Sequence, residues 1–94
     1  MMFSRDLRDA LVRGEITVSI RRWSRPQVKP GGRYRTAGVL IEIDSLELLP
    51  FSAVSDDDVR DSGETDREAL RERAAHSGPI NERTLVYRIE FHLV

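Results

Sequence analysis

The sequence predicts an α+β fold: a small, mostly antiparallel, curled β-sheet or open barrel with flanking helices. Three observations predict it. The 94 residues, 39% hydrophobic and 33% charged, are enough for one core, so a single domain over 1–94 is expected. Four segments alternate apolar and polar side chains with a period of two, the mark of strands exposed on one face. Short stretches with helical spacing and capping residues flank those segments.

Phe3, Leu7, Ala10 and Leu11 recur at helical spacing, with Ser4 as the expected cap and Gly14 as the left-handed close, giving a helix over Ser4 to Arg13. From Ile16 the period becomes two. Ile16, Val18 and Ile20 should point one way, and Thr17, Ser19, Arg21 and Trp23 should form a polar face on the other. Pro26, Pro30, Gly31 and Gly32 make Ser24 to Gly32 a loop, which leads into a short strand at Arg33 to Thr36. After Gly38 the apolar positions are Val39, Ile41 and Ile43, then Leu46 and Leu48. That slip of one residue near Asp44 and Ser45 requires a bulge. Ser55 ahead of Asp56, Asp57 and Asp58 opens a second short helix, closed by Ser62 and Gly63. Thr65 with Glu68 reads as a capping box for a third, which runs to Gly78 and Pro79. Leu85, Tyr87, Ile89, Phe91 and Leu93 alternate as a terminal strand. A closed barrel needs a fifth strand, and the pattern locates none.

Several function classes are excluded or disfavoured at this point. Cysteine is absent, so there is neither a disulfide framework nor a thiolate cage, and His76 and His92 cannot complete a zinc site alone. No metal and no cofactor are expected. The apolar stretches are interrupted by Glu42, Asp44, Glu47 and Pro50, far short of the ~20 residues of a membrane span. Arg5, Asp6, Arg8 and Asp9 stand where a secretory signal would place its apolar run, so a cytoplasmic location is expected.

The net charge of −1 conceals a polarity along the chain. Residues 1–35 hold nine basic and three acidic side chains, whereas the rest hold six basic and thirteen acidic. Arg21, Arg22, Arg25, Lys29, Arg33 and Arg35 form an acid-free run interleaved with Trp23 and Tyr34, a mixture suited to phosphate contact and base stacking. The same run can also be a solvated surface, and the opposed halves also allow head-to-tail self-association or docking on a charged protein partner.

The run Gly14-Glu15-Ile16-Thr17-Val18-Ser19-Ile20-Arg21, between a helix and a basic strand, resembles the signature of the ASCH family, which has a PUA-like barrel fold. The resemblance extends over Val28 to Tyr34, Ile41 to Ser45, the helix pair and Val86 to Phe91. It implies an RNA- or nucleotide-binding module with its cleft beside the barrel. The family pattern is G-x-K-x-x-E-x-R. Gly14 and Arg21 match it, while Ile16 takes the lysine position and Ser19 the glutamate position. A branch that deacetylates acetylcytidine is similar in having threonine where Ser19 stands, with a lysine and a later glutamate whose place falls near Asp61 or Ser62. The alternative activity is therefore a small amidohydrolase acting on an acylated pyrimidine nucleoside, with Ser19 and Asp61 as catalytic candidates, or a ribonuclease drawing on His76 or His92.

For binding, the candidates are Thr17, Ser19, Arg21, Arg22, Trp23, Arg25, Lys29, Arg33 and Arg35. Arg21 leads, because a guanidinium fork grips phosphate or a base edge in a way a point charge does not. Trp23 reads equally as a stacking platform or as a lid on the core.

Overall fold

The computed structural model describes the backbone of all 94 residues and every side chain but that of Ser77. A 3-10 turn at Arg5–Leu7 runs into α1 (Arg8–Val12), followed by β1 (Val18–Arg21), β2 (Arg33–Thr36) and β3 (Val39–Pro50). Then come α2 (Asp56–Asp61), α3 (Arg67–Ala74) and β4 (Leu85–Leu93). The strands form one antiparallel sheet in the order β1-β4-β3-β2. Among the described residues no helix is long and apolar enough to cross a membrane.

The expected bulge is present, with the β3 register shifting between Ile43 and Ser45. Its effect is on facing. Ile41 and Ile43 stand opposite Leu93 and Phe91, and beyond the bulge Leu46 and Leu48 stand opposite Ile89 and Tyr87 on that same side. One apolar face therefore persists through a strand whose sequence changes phase, and the sheet curls there.

Both faces of the sheet are covered. Ile41, Ile43, Ile89 and Phe91 pack with Phe3, Leu7, Leu11, Ile16 and Val28 on the inner side. Val18, Ile20 and Val86 pack with Phe51, Val54, Val59, Leu70 and Ile80 beneath α2 and α3. β1 alternates as expected, Val18 and Ile20 to one side and Ser19 and Arg21 to the other, but its polar side is covered, with Ser19 buried. The ladder pairs Ser19 with Ile89 and Arg21 with Tyr87, so both side chains look into the curl of the sheet. Ile16 precedes the strand and joins the inner core, apart from Val18 and Ile20.

Two caps also differ from expectation. The Ser4 side chain makes no cap bond to the first turn. The third helix is capped by Asp66, which accepts from the Ala69 amide at 2.8 Å, instead of by Thr65. Starting one residue later lets Arg67 donate to the carbonyls of Val54 and Phe51 at 2.7 and 2.8 Å. Ser55 does cap α2 as expected, with Asp58 completing the reciprocal bond at 3.1 Å.

The Asp58 carboxylate also ties α2 to the sheet, accepting from Arg88 Nε at 2.9 Å. Burial alone would raise its pKa, but the Ser55 amide and the Arg88 guanidinium outweigh burial and hold it below the ordinary carboxylate value of 3.8. A group depressed in the folded state stabilises fully above its unfolded pKa and loses that contribution as pH falls through the folded one. Stability measured by urea unfolding should therefore fall from about pH 5 downward. Asp58→Asn should flatten that part of the profile, and an unchanged slope would assign the acid loss to other carboxylates.

Candidate functional site

At the β1 edge of the sheet lies an open cleft of about 1170 Å³. Its floor and near wall come from β1 and the chain just beyond it, Ser19 to Ser24. Its far wall is made by Glu64, Leu70 and Arg73, and the first residues of the chain, Met2 to Ser4, close one end.

Arg21 reaches this cleft because the β1 pleat turns it inward beside Ser19. Its Nε donates to Ser19 Oγ at 2.7 Å and its Nη2 to the Met2 carbonyl at 2.6 Å, with the guanidinium over the Phe3 ring at 5.1 Å. Desolvation lowers its pKa from the ordinary guanidinium value. Among the described residues no carboxylate lies within ion-pairing distance of it. The two bonds engage one hydrogen each of five, leaving both Nη1 hydrogens and one of Nη2 uncommitted.

The acidic half of the chain supplies the opposite wall. Gly63 closes α2 at φ +85° and lies so close to Ile16 that an added Cβ would meet its Cδ1 at 2.9 Å. That tight passage turns Glu64 inward, where its side chain is 4% exposed. Both Glu64 oxygens accept from Arg73, whose Nη1 and Nη2 also donate to Asp6 at 3.1 and 2.8 Å. Bonds to Asp6 and then Glu64 raise the Arg73 pKa, and the bond to Arg73 lowers that of Asp6. Arg73 thus fastens the first turn of the chain to the cleft wall.

Of the residues the sequence singles out, Ser19, Arg21, Arg22 and Trp23 line the cleft. Trp23 does some of both things expected of it, lining the rim while packing against Tyr87 at 6.0 Å. Arg22 lies against Gly78 on the far side. Thr17 lies outside the cleft lining, its main-chain amide donating to the Asp61 carbonyl and its carbonyl accepting from Phe91, each at 2.9 Å. Arg33 pairs with Glu42 at 2.9 Å, and Arg35 shares its outward orientation on β2, the opposite edge of the sheet from β1. Arg25 and Lys29 are exposed outside the cleft lining. The linear basic run is thereby divided between two edges.

The later acid expected near Asp61 or Ser62 is placed differently. Asp61 pairs with Arg60 at 3.5 Å, and the Ser62 hydroxyl donates to the Val59 carbonyl at 2.7 Å. The acid that enters the cleft is Glu64, and only the turn at Gly63 marks it in the sequence. Chemically the cleft presents a guanidinium with spare donors, a hydroxyl and a braced carboxylate. Ser19 Oγ is already an acceptor from Arg21, and no base among the described residues hydrogen-bonds it. His76 is exposed at the rim, and His92 lies on the outer face near the far end of β4.

The structure matches the ASCH domain of Lactobacillus crispatus JV V101 at a TM-score of 0.72, over 94% of this chain and 70% of that one, with 22% identity. The fold is that of an ASCH domain. A protein of Enterococcus faecalis V583 carrying the DUF984 family model matches at 0.72 as well, over 95% of this chain and 67% of that one, with 15% identity. No family model and no curated protein matches the chain. The α+β architecture expected from the pattern of strands and helices, and the PUA-like fold that the family resemblance implies, are thus the observed ones, with the sheet left as a half-barrel of four strands.

Proposed function

We propose that this ASCH-fold chain binds RNA or a nucleotide through the cleft, with Arg21 gripping a phosphate or a base-edge acceptor. The observation that carries the reading is the state of Arg21. It is a desolvated guanidinium with uncommitted donors on a residue that lines the cleft, where a bound anion would replace the counter-charge that no neighbouring carboxylate provides. Trp23 and Leu85 at the rim add apolar surface against which a base can lie.

The test is a fluorescence-anisotropy titration with a labelled single-stranded RNA oligonucleotide, with uridine and cytidine monophosphates as competitors, over a salt series. Binding that weakens linearly in log–log form with salt is expected. No binding even at low salt would overturn the reading.

The amidohydrolase alternative draws on one observation, that the Ser19 hydroxyl and Glu64 carboxylate line the same cleft. Arg73 engages both oxygens of Glu64, which leaves it poorly placed to take a proton from the hydroxyl. Incubation with acetylcytidine, followed by chromatography, separates the two: turnover lost in Ser19→Ala would favour the enzyme.

A further inference from the structure

On the outer face, across the sheet from Ser19 and Arg21, three potential ligands converge. Glu42 stands opposite His92 in the β3–β4 ladder. Asp44 is the residue at which the β3 register slips, and the bulge turns its carboxylate back toward the same histidine. The imidazole consequently lies between two acids, Nδ1 at 2.8 Å from Asp44 Oδ1 and Nε2 at 3.9 Å from Glu42 Oε2. One ligand atom from each residue lies within 4.8 Å of the other two. Around an ion with bonds of ~2.1 Å, ligands sit roughly 3 to 4 Å apart, so rotation of these surface side chains is enough to close the set.

We infer that Glu42, Asp44 and His92 form a surface site for a divalent transition-metal ion of the zinc type. The donor set decides the class. One imidazole nitrogen with two carboxylate oxygens suits zinc and its neighbours, whereas magnesium and calcium prefer oxygen alone. With His92 50%, Asp44 42% and Glu42 29% exposed, water can fill the remaining positions. Arg33, bonded to Glu42 Oε1 at 2.9 Å, is a built-in competitor that keeps the site weak. The ion's role is to clamp the bulged segment of β3 to β4. Ser19 and Arg21 stand opposite Ile89 and Tyr87 on one side of β4, and His92 with its partner Glu42 lies on the other, so the sheet stands between the two places. It therefore acts on the sheet and not on the cleft chemistry, and it is independent of the nucleotide reading.

The experiment is a calorimetric titration of the full chain with zinc chloride at neutral pH, repeated with magnesium chloride and at lower pH. One saturable zinc site is expected, weaker at lower pH because protons compete for the ligands, and unmatched by magnesium. His92→Gln and Asp44→Asn should each weaken zinc binding by about tenfold or more. His76→Gln should change nothing. Arg33→Ala, which frees Glu42, should tighten binding several-fold, an effect that damage to the fold cannot imitate. Undiminished binding in His92→Gln, loss in His76→Gln, or no tightening in Arg33→Ala would each overturn the assignment.

Discussion

Arg21→Ala should leave a folded protein that has lost most of its affinity for RNA and for nucleoside monophosphates. The guanidinium spends one hydrogen on Ser19 and one on Met2, and the remainder are available to a ligand anion. A charge-assisted hydrogen bond contributes about 1.5 to 3 kcal/mol, so Kd should rise roughly ten- to a hundredfold. Arg21→Lys should recover little of this, because an ammonium keeps the charge but cannot hold Ser19 and the ligand in one plane. Arg35→Ala is the matched control. Its side chain points outward on β2, so its removal should cost only the small, salt-dependent share of a remote cation. Equal losses from Arg21→Ala and Arg35→Ala would mean that diffuse charge, and not the cleft, does the binding.

The largest stability effect is expected from Phe51→Ala. The ring is fully buried under α3, in the core layer shared with Val86, Leu70 and Ile80. The guanidiniums of Arg67 and Arg71 each lie 4.8 Å from its centroid. Truncating a buried Phe removes about 3 to 5 kcal/mol, against a total of about 5 to 15 for a domain of ordinary stability. The variant should thus unfold at a much lower urea concentration, close to the loss of the native state. Arg67 and Arg71 donate to the carbonyls of Val54, Phe51 and Ile80, so removing the ring also takes the apolar seat from beneath two anchors. Phe51→Leu, which keeps most of the volume, should cost much less. A Phe51→Ala loss under about 2 kcal/mol would show that this layer collapses to fill the space.

Much of the fold was readable because strand periodicity is local. The slip between Ile43 and Leu46 could only be a bulge, and Leu85 to Leu93 had one apolar face throughout. The two sides of β1 were readable, but the cover over its polar side was not. Ser19 and Arg21 look like solvent residues until it is known that the first turn of the chain folds over them, with the Met2 carbonyl and the Phe3 ring meeting the guanidinium. The cleft was half readable for a related reason. Arg21, Arg22 and Trp23 are adjacent in the chain and announced themselves, whereas Glu64 and Arg73 lie among helix acids and bases and gain meaning only from tertiary packing. Arg33 and Arg35, near in sequence to Arg21, were carried off to the other edge because β4 and β3 lie between β1 and β2. Closeness along the chain is poor evidence of a shared surface in an antiparallel sheet whose edge strands are separated by others.

The grip of Arg73 on Asp6, 67 residues apart, has a bearing on the order of assembly. A ribosome must deliver α3 before the first turn can be fastened, and β4 must arrive before β1 has a neighbour to lie against. Long-range closures of this kind form late and slowly compared with local helices. The cleft walls are therefore not assembled in chains that lack α3 or β4, however well their local helices form.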